Sequence, residues 1–533
     1  MKGKREQIYQ LLLGILLVCA LPVMALLGYW ACRYSYYGTV DYSIRNILVK
    51  DTAWKHILVF LLAVAVVWGL DRMLARTKRM QQEKICLGVL IFTVVAAFIL
   101  GILYILKNPY FPEGDQIGVA AFAAYAREGN YVMLGPGGYV GMYQQQKGLG
   151  ALYEILFTFF GNFNYTSAKI AHVIWWLFAI LAGYGFLKLN TDRAVFRILY
   201  CAMLLGCMPF LLYLPYIYGD ILSVSFCMIL FWAVSAYEHY EQKRYLALAA
   251  FAAAMALLAR KNTWIVLIAV AIYALLVSLK KKKWKFLLTG VVILLTATLS
   301  VKAVDVMYEY RSGYPNDIGI PSILWIAMGM QENPDALKGP GTYNDYNLDT
   351  YLQAGYDSIE AAEVAKGDIR QCLAKWQEDP VAAVTFLKEK LLIQWIEPTY
   401  CSFNQTRYQY RPQGWVEDLY TGQANERALA FLNRFQGMVY LAVFGYYLRI
   451  LLGKLKGVQV LPGIIFLGGF FITILWEAKS RYVYPYIVMI LPSAACSMEY
   501  YGRLLAGGIG RIAGGIASSR ERKQKQKEIG RTA

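Results

Sequence analysis

The sequence predicts an all-α, polytopic membrane protein with about 12 transmembrane helices, a re-entrant or juxtamembrane first outer loop and a small, mainly helical extracytoplasmic domain. Hydrophobic residues make up 58% of the 533-residue chain and charged residues only 17%, which is too apolar for a soluble protein of this size. The apolar residues occur in runs of nearly bilayer-spanning length. The basic residues behind the net charge of +18 cluster between these runs and at the tails, as membrane topology requires. No nucleic-acid partner is expected, because such binding needs a basic, soluble surface.

Charge sets the orientation of the spans. The basic segment 1–7 precedes a long apolar run without an evident cleavage site, which indicates a retained signal-anchor. The predicted spans are 8–30, 54–70, 85–106, 169–188, 194–215, 221–237, 246–259, 264–279, 286–304, 431–451, 458–476 and 485–500. With the N-terminus inside, the inner segments are 71–84, 190–197, 238–244, 280–285, 454–457 and the tail 503–533. The sequence therefore predicts a multi-pass cell-membrane protein with both termini cytoplasmic.

One further apolar stretch, 148–163, could also be a span. If it crossed, every later loop would invert and the four-lysine run 280–283 would lie outside. Its short length and the polar Glu154 favour a re-entrant or interfacial helix instead.

These spans and loops divide the chain into five regions. They are an N-terminal two-span extension (1–84), a transmembrane module (85–304), an extracytoplasmic domain (305–430), C-terminal transmembrane helices (431–502) and a basic cytoplasmic tail (503–533). Within the extracytoplasmic domain, capping patterns predict helices over 357–376 and 380–395.

Acidic residues stand at the predicted outer ends of two spans. Glu113 and Asp115 flank Gly114 just beyond the third span, and Tyr218 and Asp220 lie between the fifth and sixth. Such carboxylates can act as a general base or bind a metal. For Asp115 the alternative is a helix N-cap, and for Asp220 capping beside an interfacial tyrosine belt.

Several basic residues lie at the same predicted outer surface, although the positive-inside rule favours basic residues on the inner side. Arg260 and Lys261 end one span, Lys479 and Arg481 lie in another outer loop beside Glu477 and Tyr482, and Lys147 precedes the apolar stretch 148–163. Their simplest role is interfacial anchoring. Because several occur in one plane, we favour an anion site, in which arginine contacts phosphate in a bidentate manner and lysine supplies a point charge.

Together these segments resemble the GT-C glycosyltransferases, in the branch that holds protein O-mannosyltransferases and bacterial aminoarabinose transferases. The resemblance covers roughly 85–305 and, more loosely, 380–490. Asp115 matches the family's first-loop acid, Lys147 and the following apolar helix resemble the close of that loop, and Tyr218 to Asp220 resemble a later outer acid. Leu257 to Lys261 and Glu477 to Pro485 resemble a basic turn and a C-terminal E-x-R-Y-x-x-P segment.

The resemblance implies a sugar donor linked to polyprenyl phosphate and an acceptor that is a cell-envelope polymer, a lipid or a protein. Asp115, supported by Glu113, would be the catalytic base, and the reaction would invert the anomeric carbon. Arg260, Lys261, Lys479, Arg481 and Lys147 would bind the donor phosphate, with Asp220, Tyr218, Glu477 and Tyr482 in support. No cofactor is firmly implied, but Glu113, Asp115 and Asp220 are candidate ligands for Mg²⁺ or Mn²⁺.

Three other interpretations stay open at this stage, one of which is a membrane-anchored structural protein without catalysis. A polysaccharide polymerase or ligase would use similar donors at the same face of the membrane. A transporter or lipid flippase would place polar features near mid-membrane, whereas the acids and bases here lie at span ends.

Overall fold

The computed structural model describes residues 2–37, 47–316, 319–335, 337–407, 413–453 and 460–507. Helices dominate this part of the chain: α1 (Lys2–Arg33), α2 (Ala53–Ala75), α3 (Arg79–Lys107), α4 (Asp115–Arg127), α5 (Tyr139–Met142), α6 (Lys147–Phe160), α7 (Tyr165–Asn190), α8 (Ala194–Gly206), α9 (Met208–Leu212), α10 (Gly219–Tyr240), α11 (Lys243–Ala259), α12 (Trp264–Lys281), α13 (Lys285–Ser312), α14 (Ile323–Gly329), α15 (Tyr346–Gln353), α16 (Ser358–Glu378), α17 (Pro380–Trp395), α18 (Ser402–Gln405), α19 (Trp415–Thr421), α20 (Gln423–Leu451), α21 (Leu461–Leu475) and α22 (Tyr484–Ala495). One short antiparallel pair, β1 (Tyr34–Tyr37) and β2 (Ile47–Lys50), aligns Tyr34 with Lys50.

Eight of these helices are long and apolar enough to cross a membrane, namely α1, α2, α3, α7, α10, α12, α13 and α20. The chain is therefore an α-helical, multi-pass membrane protein. The remaining predicted spans correspond to shorter helices. The span predicted over 194–215 is divided into α8 and α9, with Pro209 in the first turn of α9, where its missing N–H costs nothing. Helices α11, α21 and α22 contain 17, 15 and 12 residues. The total of twelve spans thus remains a prediction.

Burial separates a central helix from the helices at the edge of the bundle. The apolar stretch of α10 is 89% buried inside the protein, against 22% for α3 and α13. Helix α10 packs between α7 and α11, and α1 lies along α20. An apolar helix surface that no other helix covers suits a lipid environment, and α3 and α13 carry such surfaces.

The predicted outer segments form helices close to their expected positions. The stretch expected to be re-entrant is α6, a helix of 14 residues. Helix α16 is capped by the Asp357 carboxylate, which accepts from the amides of Ile359 and Glu360. Helix α17 is capped in the same way by Asp379 and has Pro380 in its first turn. Side-chain capping by aspartate satisfies amides that the helix leaves unpaired.

A cluster of ion pairs lies at the helix ends that are opposite to α4. Arg193 lies 2.6 Å from the Asp71 carboxylate and 2.9 Å from that of Glu499, and Arg449 lies 3.4 Å from Glu499. These contacts join α2 of the N-terminal extension to α20 and to the chain after α22. The predicted inner loop 454–457 and most of the tail, 508–533, lie outside the described residues. The inside orientation stays a prediction.

Candidate functional site

A cavity of about 660 Å³ opens where α4 and α12 begin and α11 and α21 end. This volume lies within the usual range for small-molecule sites. Among the residues singled out from the sequence, the cavity is lined by Glu113, Asp115, Tyr218, Arg260, Lys261, Glu477, Lys479, Arg481 and Tyr482. Four separate interhelical segments therefore meet at one place. Lys147 and Asp220 do not line the cavity.

Asp115 begins α4 and is exposed to the cavity. Gly114 before it has φ +53°, a conformation that glycine adopts without the strain of a side chain. The Asp115 Oδ1 atom accepts a hydrogen bond of 3.1 Å from the Tyr139 hydroxyl. Gly114 holds the N-cap position, and no side-chain capping bond forms there. The carboxylate is thus oriented by a tyrosine and not by helix amides.

Arg481 is the most deeply buried cation on the cavity wall, with 4% of its surface exposed. Its guanidinium donates to the Tyr216 hydroxyl. It lies 5.4, 5.2 and 5.7 Å from the ring centres of Tyr216, Tyr218 and Tyr482. Within the described part of the chain it has no carboxylate within 4.0 Å, and its Nε atom has no hydrogen-bond partner. Aromatic faces offset only part of the cost of burying a charge, so this arginine is suited to an external anion.

Arg260, in contrast, has a carboxylate partner. Its Nη1 atom lies 3.2 Å from Oδ2 of Asp220, whose side chain is only 1% exposed. Gly219 allows this approach, since a Cβ there would lie 2.1 Å from the carbonyl oxygen of Ala259. Asp220 therefore supports Arg260 from behind the cavity wall.

Tyr218 connects the acidic and basic sides of the cavity. Its hydroxyl interacts with that of Tyr139, the residue that contacts Asp115, and accepts from the Gln146 amide. Its ring centre lies 5.3 Å from the Arg260 guanidinium and 5.2 Å from that of Arg481. Burial raises the pKa of the Tyr218 phenol, so the hydroxyl keeps its proton at neutral pH.

The segment after α21 carries the remaining charges. The Tyr482 hydroxyl donates to Glu477 Oε2 over 2.9 Å. Burial raises the pKa of Glu477 and lowers the pKa of Lys479, since both charged forms lose hydration. Lys261 is exposed at the cavity. Neither lysine has a carboxylate within 4.0 Å among the residues the structure describes.

The prediction that Lys147 binds phosphate is not supported by its position. Its side chain is 4% exposed, and its Nζ atom lies 3.2 Å from Oδ1 of Asp305 in α13 and 2.5 Å from Oδ1 of Asn316. The charge is already paired away from the cavity. Lys147 instead joins α6 to the end of α13.

The three candidate metal ligands do not form a common group. Glu113 and Asp115 line the cavity, whereas Asp220 faces Arg260. No cluster of three or more histidine, cysteine or acidic side chains suited to a metal occurs in the described ranges. The Asp220 carboxylate therefore does not fit the ligand role, and Mg²⁺ or Mn²⁺ binding by Glu113 and Asp115 stays a prediction.

Several cavity residues were not predicted from the sequence. Trp325 and Trp476 stack with ring centres 6.1 Å apart and planes at 5°, and Tyr143 packs against Trp325 at 6.3 Å. The cavity is also lined by Gln145, Gln146, Asn262, Trp264, Tyr343 and Asn347. The sequence did offer a signal for Gln146 and Tyr139, because a run of three glutamines at 144–146 follows two closely spaced tyrosines. Trp325 belongs to α14, in the region 305–430, and only the folded chain brings it to the cavity.

Comparison of the chain with family models, with curated proteins and with solved structures gives no match.

Proposed function

We propose that this protein is a membrane glycosyltransferase that moves a sugar from a polyprenyl-phosphate-linked donor to an acceptor at the extracytoplasmic face. One observation carries the proposal: the exposed Asp115 carboxylate lines the same cavity as the buried Arg481 guanidinium, which has no carboxylate within 4.0 Å among the described residues. Group transfer from a phosphate needs both a base and a site for the departing anion.

The donor phosphate would occupy the basic side of the cavity. Arg481, Lys479 and Lys261 contribute positive charge that no described carboxylate neutralises within 4.0 Å. Ile265 at the start of α12 and Ile472 near the end of α21 line the same cavity. Both helices are apolar, so the prenyl chain would leave between them into the bilayer while its phosphate stays at the cavity wall.

The chemical step would be a direct displacement. The acceptor hydroxyl oxygen forms a bond to the anomeric carbon, and the bond from that carbon to the phosphate oxygen breaks. Polyprenyl phosphate leaves with the electron pair, and the hydroxyl proton passes to Asp115. Attack opposite to the leaving group inverts the anomeric configuration. General-base assistance is typically worth about 10²–10⁴ in rate.

The first test replaces the base. Asp115→Asn removes the proton acceptor at nearly constant shape, and we expect transfer from a labelled donor lipid in membranes to fall by about 10²-fold or more. Asp192→Asn is the matched control, because Asp192 is 88% exposed and pairs only with the exposed Arg79. Near wild-type transfer by Asp115→Asn would remove the base assignment.

The nature of the product separates the proposal from a polymerase or ligase. A transferase adds one sugar per acceptor, whereas a polymerase gives a ladder of products from the same labelled donor. Mass spectrometry of envelope glycans and glycolipids after deletion of the protein would identify the missing sugar and acceptor. Chelation followed by return of Mg²⁺ or Mn²⁺ tests whether a divalent cation is required.

A further inference from the structure

A face of α17 in the outer domain carries three buried polar side chains. Lys390, Gln394 and Glu397 follow one another at steps of four and three residues and are 0%, 0% and 1% exposed. This spacing places them on one side of the helix and its C-terminal extension. Burying an amine and a carboxylate is costly unless each finds partners. Lys390 Nζ donates to the carbonyl oxygen of Gly329 in α14, and the segment 473–480 supplies a partner for each of the three side chains.

The segment 473–480 comprises the last turn of α21, which ends at Leu475, and the chain that leads to the basic cavity wall. Lys390 Nζ donates to the carbonyl oxygen of Ile474 over 3.0 Å, and Gln394 Nε2 donates to that of Thr473 over 3.1 Å. Glu397 Oε2 accepts from the Ser480 hydroxyl over 2.6 Å. Ser480 stands between Lys479 and Arg481. The helix and its extension thus hold the end of α21 and the residue between the two cations.

Glu397 also fixes its own loop. Its carboxylate accepts from the amides of Thr399 and Cys401 over 2.8 and 2.7 Å and from the Thr399 hydroxyl. Tyr400 and Cys401 have φ angles of 50° and 59°, which are costly for residues with side chains. A conformation of this kind persists only when its surroundings determine it, and the Glu397 carboxylate supplies three of the hydrogen bonds that do so.

We infer that Glu397 is a positioning residue that acts through Ser480 to hold Lys479 and Arg481 toward the cavity, so that the outer domain is part of the anion site. This inference rests on the proposed function and names a residue that the sequence did not indicate. It also explains why a carboxylate is buried beside a loop that carries two cations without forming an ion pair with either.

The test compares two hydrogen bonds to the same carboxylate. Ser480→Ala removes the bond that reaches the basic loop, and Thr399→Val removes one that does not. Binding of decaprenyl phosphate to the full-length protein in detergent is measured by ligand-induced thermal stabilisation. We expect Ser480→Ala to weaken binding about tenfold, the scale of one lost hydrogen bond to a charged group. Thr399→Val should bind like the wild type, although it removes a buried hydrogen bond as well.

Glu397→Leu provides a second measurement at similar volume, because it removes both oxygen atoms to which Ser480 can donate. If Glu397 acts through Ser480, the double variant Glu397→Leu, Ser480→Ala binds no more weakly than Glu397→Leu alone, since each change breaks the same link. Equal weakening by Ser480→Ala and Thr399→Val, or fully additive effects in the double variant, would overturn the positioning role. Failure of the wild-type protein to bind decaprenyl phosphate would instead refute the anion site of the proposed function.

Discussion

The Tyr139 hydroxyl donates to Oδ1 of Asp115 across 3.1 Å and also interacts with the hydroxyl of Tyr218. Two phenols therefore lie between the proposed base and the guanidinium groups of Arg260 and Arg481. Acid and cations are held apart by neutral side chains and do not neutralise each other. A site arranged in this way keeps an anion-binding side and a base side within one cavity.

Removal of the phenol next to Asp115 gives the first prediction. Tyr139→Phe deletes the hydroxyl that orients the carboxylate, and we expect the transfer rate to fall roughly tenfold, the scale of one hydrogen bond to a charged group. Donor binding should change little, because Tyr139 does not contact the basic side. Tyr125→Phe in α4, the helix that begins at Asp115, is the control, since its side chain is exposed. An unchanged rate for Tyr139→Phe would show that the carboxylate needs no such orientation.

Arg481 gives a prediction in which stability and binding move in opposite directions. A buried cation without a carboxylate partner costs folding free energy, so Arg481→Met should raise the melting temperature of the ligand-free protein. The same change should abolish stabilisation by decaprenyl phosphate. Arg481→Lys keeps the charge but loses the planar group that stacks on tyrosine rings, and we expect weakened binding. A lower melting temperature for Arg481→Met would mean that the three rings fully offset the burial cost.

Charge at the segment after α21 predicts a pH dependence of anion binding. Burial raises the pKa of Glu477 above 4.5 and lowers that of Lys479 below 10.5. Glu477 therefore gains its proton at a higher pH than an exposed glutamate, and Lys479 loses its proton at a lower pH than an exposed lysine. Both changes make the cavity more positive as pH falls. The affinity for an anion should therefore rise as the pH is lowered, within the window between pH 10.5 and pH 4.5.

A prenyl methyl phosphodiester is the suitable probe for this profile, because its single charge does not titrate in the window. Glu477→Gln should abolish the change in affinity at the acidic end of the profile and keep the change at the alkaline end. Lys479→Gln should abolish the change at the alkaline end and keep the change at the acidic end. A flat profile for the wild-type protein would contradict the electrostatic assignment of both residues.

The sequence indicated the site residues whose positive charge is unusual on the predicted outer side of a membrane. Arg260, Lys261, Lys479 and Arg481 are basic residues at a predicted outer surface, and they line the same cavity as Asp115. Lys147 has the same signature, but its partner Asp305 lies at the far end of another helix. Pairing between distant segments is not visible in a charge pattern. The same limit applies to the fold, since long apolar runs located eight helices but not the break between α8 and α9.

Glu397 and Trp325 were missed for a related reason. Each belongs to the region 305–430, the predicted extracytoplasmic domain, where a lone glutamate or tryptophan most often serves local packing. Their roles depend on the approach of α14 and α17 to the end of α21, through contacts such as the bond between the Trp395 indole and the Thr473 hydroxyl over 3.1 Å. A single sequence carries no pattern for such an approach.

Gly219 provides a prediction about packing. A methyl group at this position would lie 2.1 Å from the Ala259 carbonyl oxygen and 2.9 Å from Cδ of Arg260. Gly219→Ala should therefore separate α10 from the end of α11, disturb the pair of Asp220 with Arg260 and lower the melting temperature. Gly14→Ala in α1 is the matched control, because a methyl group there meets no atom within 4 Å. Alanine in place of an unhindered helical glycine is expected to stabilise by about 0.5–1 kcal/mol. Equal melting temperatures for the two variants would contradict the close approach.

The orientation of the cavity is the last prediction, and it can be measured without knowledge of the substrate. Lys261 is exposed at the cavity, and Lys282 is exposed in the turn after α12, one helix length away. In a background from which the nine native cysteines are removed, Lys261→Cys should react with a membrane-impermeant maleimide in intact cells. Lys282→Cys should react only after the membrane is opened. The positive-inside rule predicts this result, and the donor phosphate can be reached from outside only if it holds. Reaction of Lys282→Cys in intact cells, with protection of Lys261→Cys, would place the cavity on the cytoplasmic side and end the proposal of extracytoplasmic transfer.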